Sequence, residues 1–312
     1  MSTTVGTFLR SLSLECSDVP PPAELALDWL QSHYATVLER APWQFLQKEA
    51  TFQTVAEITA GTVTLTLGSA TVTETTSNAN GWSSVVEGRY FRASGDTEFY
   101  LIDTFGNANP DTLTLNRVYE GVSATLSGYA LNQRFYSLAT DVREIITMSC
   151  LNPTVPMERV SLAELDRALS NRPERREAPL YWAPAGRDSS NSYRVELYPI
   201  PDKARGVLYH YIQTTPSLND ADATIIDNVD VRLLRSGFLS DYWGWRMSRQ
   251  DTPQGLMVMK QVYEAEFEKR LQEMVIREAP NLYQGTLHLA PRLTRNRMMS
   301  KWDKRREIVD SQ

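Results

Sequence analysis

Residues 61–76 read GTVTLTLGSATVTETT, and no other feature limits the possible folds as much as the twofold alternation in this stretch. Thr62, Thr64 and Thr66 alternate with Val63, Leu65 and Leu67; the chain turns at Gly68-Ser69 and the pattern resumes at Val72-Thr73. A period of two sends one set of side chains to a buried face and the other to water, as in a half-buried hairpin. Upstream the period is different. After Pro20-Pro21-Pro22, which suits a first helical turn because proline lacks an N–H, Ala26, Trp29, Leu30, His33, Tyr34, Val37 and Leu38 recur at helical spacing. They form one apolar stripe. Ala41-Pro42-Trp43 ends the run, and Trp43, Phe45 and Leu46 add a second apolar cluster.

Short strands follow the hairpin. Arg89–Phe91 precedes a Ser94-Gly95-Asp96 turn, then come Phe99–Ile102, Leu113–Leu115 and Ala124–Leu131. Five or six strands with Gly, Asn and Asp at the turns predict a small antiparallel barrel or sandwich over residues 52–137. Residues 141–149 (DVREIITMS) read as a short helix or docking strand. Ser161 and Glu164 form a capping box ahead of Leu165 and Leu169. Residues 171–191, rich in Arg, Pro, Gly and Ser, read as a long loop. YRVELYPIP and GVLYHYIQTTP read as the two strands of a hairpin arm, with Pro201-Asp202 in its turn. Two helices close the body. One carries the stripe Val231, Leu234, Phe238, Tyr242, Trp245; the other carries Met259, Tyr263, Phe267, Leu271, Met274 and the pair Glu266–Arg270. The break between them is at Asp251-Thr252-Pro253. The expected fold is α+β: a helical-bundle core from residues 1–50 and 138–290 bearing the hairpin arm, an inserted antiparallel β-domain at 52–137, and an extended C-terminal tail at 291–312.

The chain has 42% apolar and 22% charged residues, the balance of an ordinary globular protein. No stretch approaches the roughly 20 apolar residues that cross a bilayer, so no membrane association is expected. MSTTVGTFLRSLSLEC lacks the basic start and apolar run of a secretory leader. Cys16 and Cys150 lack a CxxC spacing or a neighbouring His, which fits a reducing compartment.

A catalytic constellation does not emerge. His33, His210 and His288 are the only histidines, and none has metal-pair spacing. His33 lies on the apolar stripe and reads as packed. GxSxG, a Walker lysine and a GxGxxG after a strand are all missing. NDADAT (219–224) superficially resembles a calcium loop but lacks its central glycine and terminal glutamate, so it reads as helix capping. Glu74 and Asp96 can be called a carboxylate pair only by selection from 38 acids. Tyr242 and Trp245 read as core, and Trp82, beside Asn80-Gly81, as an exposed loop anchor. The expectation is a protein without enzymatic activity, cofactor or metal.

Charge singles out the tail. Residues 291–312 hold seven basic residues against three acids, a net of +4, while the chain carries −6, leaving −10 on residues 1–291. An acidic body with no basic stripe repels a phosphate backbone, which excludes nucleic acid as a specific partner. Arg292, Arg295, Arg297, Lys301, Lys304, Arg305 and Arg306 are interleaved with Met298, Met299 and Trp302. Guanidinium groups bind carboxylates bidentately, and Met and Trp are adaptable anchors. These ten residues are the expected partner-binding site, ordering against an acidic protein surface.

The order of segments resembles the head-to-tail adaptor (connector, or neck) proteins of tailed bacteriophages, especially the larger ones of short-tailed phages. It is carried by ALDWLQSHYATVLERAPWQFLQKEATFQTVA, AGTVTLTLGSATVTETT, VVEGRYFRASGDTEFYLI, DTLTLNRVYEG and YALNQRFYSLATDVREI. The stretch from ELDRALSNRPERREAPLYWAPAGRDSSNSYRVELYPIPDKARGVLYHYIQTTPSLND and the two C-terminal helices completes it, so that the likeness covers roughly residues 5–278. The resemblance implies a structural virion protein in the neck, assembled in the host cytoplasm. Its copies would form a ring, commonly of twelve, between the portal and the tail nozzle or tube. The ring would line the passage for double-stranded genomic DNA without binding it specifically, and the C-terminal extension would reach the portal or a neighbouring subunit. Smaller adaptors lack the β-insertion or differ in it, so no task for it is implied. Three other readings remain open: a nozzle or fibre-attachment protein, a virion-borne wall hydrolase, and a carbohydrate-binding module. The long C-terminal helices argue against the first, the missing paired carboxylate or zinc site against the second, and the small share of β-segment against the third.

Overall fold

The computed structural model describes residues 3–16, 19–75, 81–126, 128–152, 154–171, 176–218, 223–249 and 254–278. It is α+β, with five α-helices among the described residues, two curled, largely antiparallel seven-stranded sheets and a two-stranded parallel sheet of residues 176–177 and 200–201. The helices are α1 (Val5–Glu15), α2 (Ala23–Glu39), α3 (Leu162–Asn171), α4 (Val231–Met247) and α5 (Gln254–Glu278). The strands are β1 (Gln47–Gln53), β2 (Val63–Leu65), β3 (Thr71–Glu74), β4 (Tyr90–Ala93), β5 (Tyr100–Gly106), β6 (Thr112–Leu115), β7 (Ala124–Leu126) and β8 (Tyr129–Asn132). They continue with β9 (Phe135–Ser137), β10 (Val142–Cys150), β11 (Val155–Arg159), β12 (Arg176–Glu177), β13 (Tyr181–Arg187), β14 (Tyr193–Tyr198), β15 (Ile200–Pro201) and β16 (Gly206–Gln213). The chain divides into a helical unit, up to Leu46 and from Thr215, and a β unit, Gln47–Thr214.

In the helical unit, Ala26, Leu30, Tyr34, Val37 and Leu38 of α2 are buried, as the stripe predicts. On α4 the buried face holds Leu233, Leu234, Phe238, Leu239 and Tyr242. Asp230 caps α4 by accepting from the Arg232 N–H at 2.9 Å. Trp43 Nε1 donates to the Val37 carbonyl at 2.8 Å, so the buried indole at the end of α2 has its polar group satisfied. On α5, Phe267, Leu271 and Met274 are buried, while Met259, expected on the same face, is exposed.

The alternating stretch lies in an antiparallel sheet of order β7-β2-β3-β6-β5-β4-β8. Its inner face buries Val63, Leu65, Val72, Phe91, Tyr100, Leu113 and Leu131. The outer face carries a row of threonines in register across four strands, Thr125–Thr64–Thr73–Thr112. Cross-strand Thr pairs are favourable on a wet face, and this row accounts for the alternation. Two expectations fail here. Leu67, grouped with Val63 and Leu65, lies past the end of β2 and is 61% exposed. Trp82 is buried, packed in the inner-face cluster with its ring edge-on to Tyr129 at a centroid distance of 6.0 Å.

The second sheet has the order β1-β16-β10-β11-β13-β14-β9, antiparallel except for the β11–β13 pair. Much of it lies in residues that the sequence reading gave to the helical core; residues 138–214 belong to the β unit. Val142, Ile145 and Met148 are buried at a spacing of three, which mimics a helix. The cause is two register shifts in the β10–β16 ladder, between Val142 and Glu144 and between Ile145 and Thr147; each re-aims the next side chain. Residues 171–191 are not all loop. They contain β12 and the whole of β13, whose strand signal is masked by Pro184 and by Gly186 at φ +79°, next to a register shift. Nor do β14 and β16 form a hairpin: β14 lies between β13 and β9, and β16 between β1 and β10. α3 starts with the expected capping box, Ser161 N–H donating to Glu164 Oε2 at 3.1 Å and Glu164 N–H to Ser161 Oγ at 3.3 Å.

Candidate functional site

His33 and His210 are the histidines among the described residues, and they belong to separate units. His33, on α2, hydrogen-bonds through Nε2 to Asp241 Oδ2 of α4 at 2.8 Å and lies edge-on to Phe267 of α5, centroids 4.9 Å apart. It thus ties three helices together, as a packed residue would. Gly237 makes room for it: a Cβ there would come within 2.7 Å of the ring. His210 is exposed on β16, beside a shallow depression of about 310 Å³ shared with Lys48, Glu49 and Thr147. His288 and residues 219–222 of the calcium-like stretch lie outside the described residues. Among the described residues, no group of three His, Cys, Asp or Glu is placed to hold a metal ion. Glu74 is buried on β3, while Asp96 serves its own turn, accepting from Glu98 N–H at 3.4 Å. Cys16 and Cys150 are buried free thiols. Burial, with Glu15 adding repulsion, pushes Cys16 up to about 11, which leaves little reactive thiolate.

The most developed polar cluster is inside the β unit, where the two sheets meet. Arg134 donates from Nε to Glu196 Oε1 at 2.7 Å and from Nη2 to the same oxygen. Nη2 also reaches Asp166 Oδ1 of α3 at 3.3 Å. The guanidinium lies over Tyr90 of β4, Phe99 just before β5 and Phe135 of β9, with centroid distances of 5.0 to 5.5 Å. Arg194 covers Phe135 at 4.7 Å. Glu196 is only 1% exposed, and its Oε2 has no hydrogen-bond partner. Burial raises its pKa above the ordinary 4.5, opposed by the charge and hydrogen bonds of Arg134. Cation–π contacts and a buried ion pair therefore join the first sheet to the second. Such an arrangement fixes a joint and offers no bound substrate a reactive group.

Exposed apolar residues supply candidate contact surfaces among the described residues. Leu67, Val118 and Val122 are exposed at one end of the first sheet, on loops held together by Gly68 N–H to Tyr119 O and Tyr119 N–H to Ser69 O, both 2.8 Å. On α5, Met257, Val258, Val262 and Ile276 are more than half exposed. An apolar cleft of about 180 Å³ opens in the helical unit between α1, Pro20-Pro21, α2 and Phe238. The sequence reading did not single out these surfaces, although the apolar residues on the second side of α5 were legible from their spacing. The residues it did select are Arg292, Arg295, Arg297, Met298, Met299, Lys301, Trp302, Lys304, Arg305 and Arg306. All lie beyond Glu278 and outside the described residues.

No curated protein matches the chain. A family model does: the one described as SU10 adaptor protein matches residues 112–290, more than half of the chain. The match takes in β6 to β16 and α3 to α5, hence the whole of the second sheet apart from β1. With an α+β fold in which two long helices follow the β unit, the chain belongs to the SU10 adaptor family, a group of phage head-to-tail adaptor proteins.

Proposed function

We propose that the protein is the neck adaptor of a tailed phage, of the larger short-tailed-phage type. Its copies form a ring, twelve by family resemblance, that receives the portal above and the tail nozzle or tube below. The ring lines the DNA passage, and it is assembled in the host cytoplasm. The observation that carries this reading is the family match over 112–290, which spans both long C-terminal helices. Charge supports it as well: a net of −6 per chain gives about −72 for twelve copies, and like charge lets DNA slide instead of gripping it. The residues 52–137 serve in this reading as an inserted β-domain. The tail at 291–312 docks on the portal or an adjacent subunit through Arg292, Arg295, Arg297, Lys301, Lys304, Arg305 and Arg306, with Met298, Met299 and Trp302 as anchors. The role is structural and includes no catalytic step.

Electron microscopy of the purified protein, alone and mixed with portal, tests the reading. Rings seated coaxially on portal are the expected result. A protein that stays single and leaves portal unchanged at high concentration would overturn it.

A further inference from the structure

The second sheet has one long open edge. β1 pairs with β16 on one side only, and all seven of its residues are exposed or half-buried. The other edges of the two large sheets are short or covered. β7 and β9 have three residues each, and the four residues of β8 are buried, with Leu131 bridged by Ile58.

The register of β1 decides which of its groups face outward. Thr54 N–H donates to Arg205 O at 2.8 Å, in step with the pairing of Gln53 and Gly206. Residues along an antiparallel ladder alternate between pairs that exchange hydrogen bonds and pairs that do not. Lys48, Ala50 and Phe52 therefore bond to β16. The N–H and C=O of Glu49, Thr51 and Gln53 point away from the sheet, and no described residue bonds to them. Such a row is a template for an added strand. An edge lysine normally discourages addition, but Lys48 Nζ is held by Asp141 Oδ2 at 3.6 Å. On one face of the edge, Ala50 and Phe52 are half-buried against the core of this sheet; on the other, Glu49, Thr51 and Gln53 are exposed.

The 34 residues after Glu278 (312 minus 278) contain a stretch with the complementary pattern. Thr286-Leu287-His288-Leu289-Ala290 alternates about its two leucines between Gly285 and Pro291, and no charged residue occurs from Ala279 to Ala290. Glycine and proline bound strands in this way. We propose that residues 286–290 of this chain add to β1 as an antiparallel strand. Pairing Leu289 with Ala50 and Leu287 with Phe52 puts both leucines on the core face. Thr286, His288 and Ala290 then oppose Gln53, Thr51 and Glu49, pairs that each exchange two main-chain hydrogen bonds. Pro291 falls opposite Lys48, where the N–H of an added strand points away from β1, so the missing donor costs nothing. One register thus meets the face the leucines need and the position the proline needs. The assignment does not depend on the ring reading, and it leaves residues 291–312 available for the portal contact.

Residue-resolved hydrogen exchange on the full chain tests this. The amides of Glu49, Thr51 and Gln53 should exchange about tenfold or more slowly in wild type than in Leu287→Asp/Leu289→Asp. Those of Ala50 and Phe52, bonded to β16, should be alike in both. The substituted leucines lie outside the described core, so the variant should keep the wild-type circular dichroism. Thr51→Cys/His288→Cys should crosslink on mild oxidation, since Cα atoms of such a pair lie about 5.5 Å apart, within disulfide reach. Thr51→Cys/Leu287→Cys, with its thiols on opposite faces, should crosslink about tenfold or more slowly. The mass of the crosslinked product tells whether donor and edge belong to one copy or to neighbours, and either product supports the pairing. Outward amides that exchange alike in wild type and the leucine variant would overturn the assignment, as would crosslinking that ignores the register. Neither result bears on whether the protein forms rings on portal.

Discussion

Arg134 and Glu196 set a pH dependence with a definite sign. Glu196 titrates above its ordinary 4.5 in the folded protein because burial disfavours the carboxylate. Between 4.5 and that raised value, the folded state holds more protons than the unfolded chain. Stability contributed by this group therefore falls as pH rises through the window. Arg134 limits the loss by pairing with the ionised form. Arg134→Ala should cost about 3–5 kcal/mol near pH 7, where it leaves a buried charge unpaired. The deficit should shrink as pH falls and Glu196 protonates; urea titrations across a pH series would measure it, and a pH-independent deficit would argue against the ion pair. Trp82→Ala should cost about 3–5 kcal/mol as well, since it empties part of the inner face of the first sheet. An indole that was the exposed anchor expected from its Asn-Gly neighbourhood would cost almost nothing. The sequence gives no warning at either position. Local composition describes a loop, whereas the burial of Trp82 and the Arg134–Glu196 pair, 62 residues apart, depend on where the chain returns.

At the scale of elements, periodicity was informative wherever one face of a regular element meets one core. α2 and α4 follow their stripes, and β2 and β3 follow the alternation. It misled in β10, whose register shifts put every third residue on one face, and in β13, where Pro184 and Gly186 hide a strand. It was incomplete in α5, where a second row of aliphatic residues runs along the exposed side. Pairing was not legible: β14 and β16 look like hairpin partners, yet three strands separate them in the sheet. One close approach between helices makes a quantitative test. Gly237 on α4 lies under the His33 ring of α2, and a Cβ would come within 2.7 Å of Cγ and Nδ1. Gly237→Ala should therefore destabilise by about 1–3 kcal/mol, although alanine is the better helix former by about 1 kcal/mol. In a His33→Ala background the same change should become neutral or stabilising. Thermal unfolding of the four proteins gives the coupling, and independent effects would show that the ring yields freely.

For the whole molecule, charge and composition make the tail at 291–312 the decisive segment for portal joining in the proposed reading. The last buried residues of α5 are Phe267, Leu271 and Met274, so deleting 291–312 removes nothing from the described core and should leave a folded protein. That protein should no longer join portal. Within the tail, burying a side chain such as Trp302 or Met298 is worth about 1.5–3 kcal/mol, whereas an exposed ion pair gives about 0–1 kcal/mol. The apolar anchors should thus set affinity, while the +4 charge against a body of −10 governs approach and register. Trp302→Ala should weaken joining by about tenfold or more for a single tail, and Lys304→Ala by less than about fivefold. A ring engages many tails at once, so effective concentration amplifies the difference, and the tryptophan variant should fail at protein concentrations where the lysine variant still joins. Raising salt should slow association of all the variants, and it should leave the Trp302→Ala deficit in place because screening acts on charge alone. Titrating portal with each protein under the microscope separates these cases. Truncated protein that seats on portal with wild-type affinity would assign the joining to the folded units and leave the tail without a part in it.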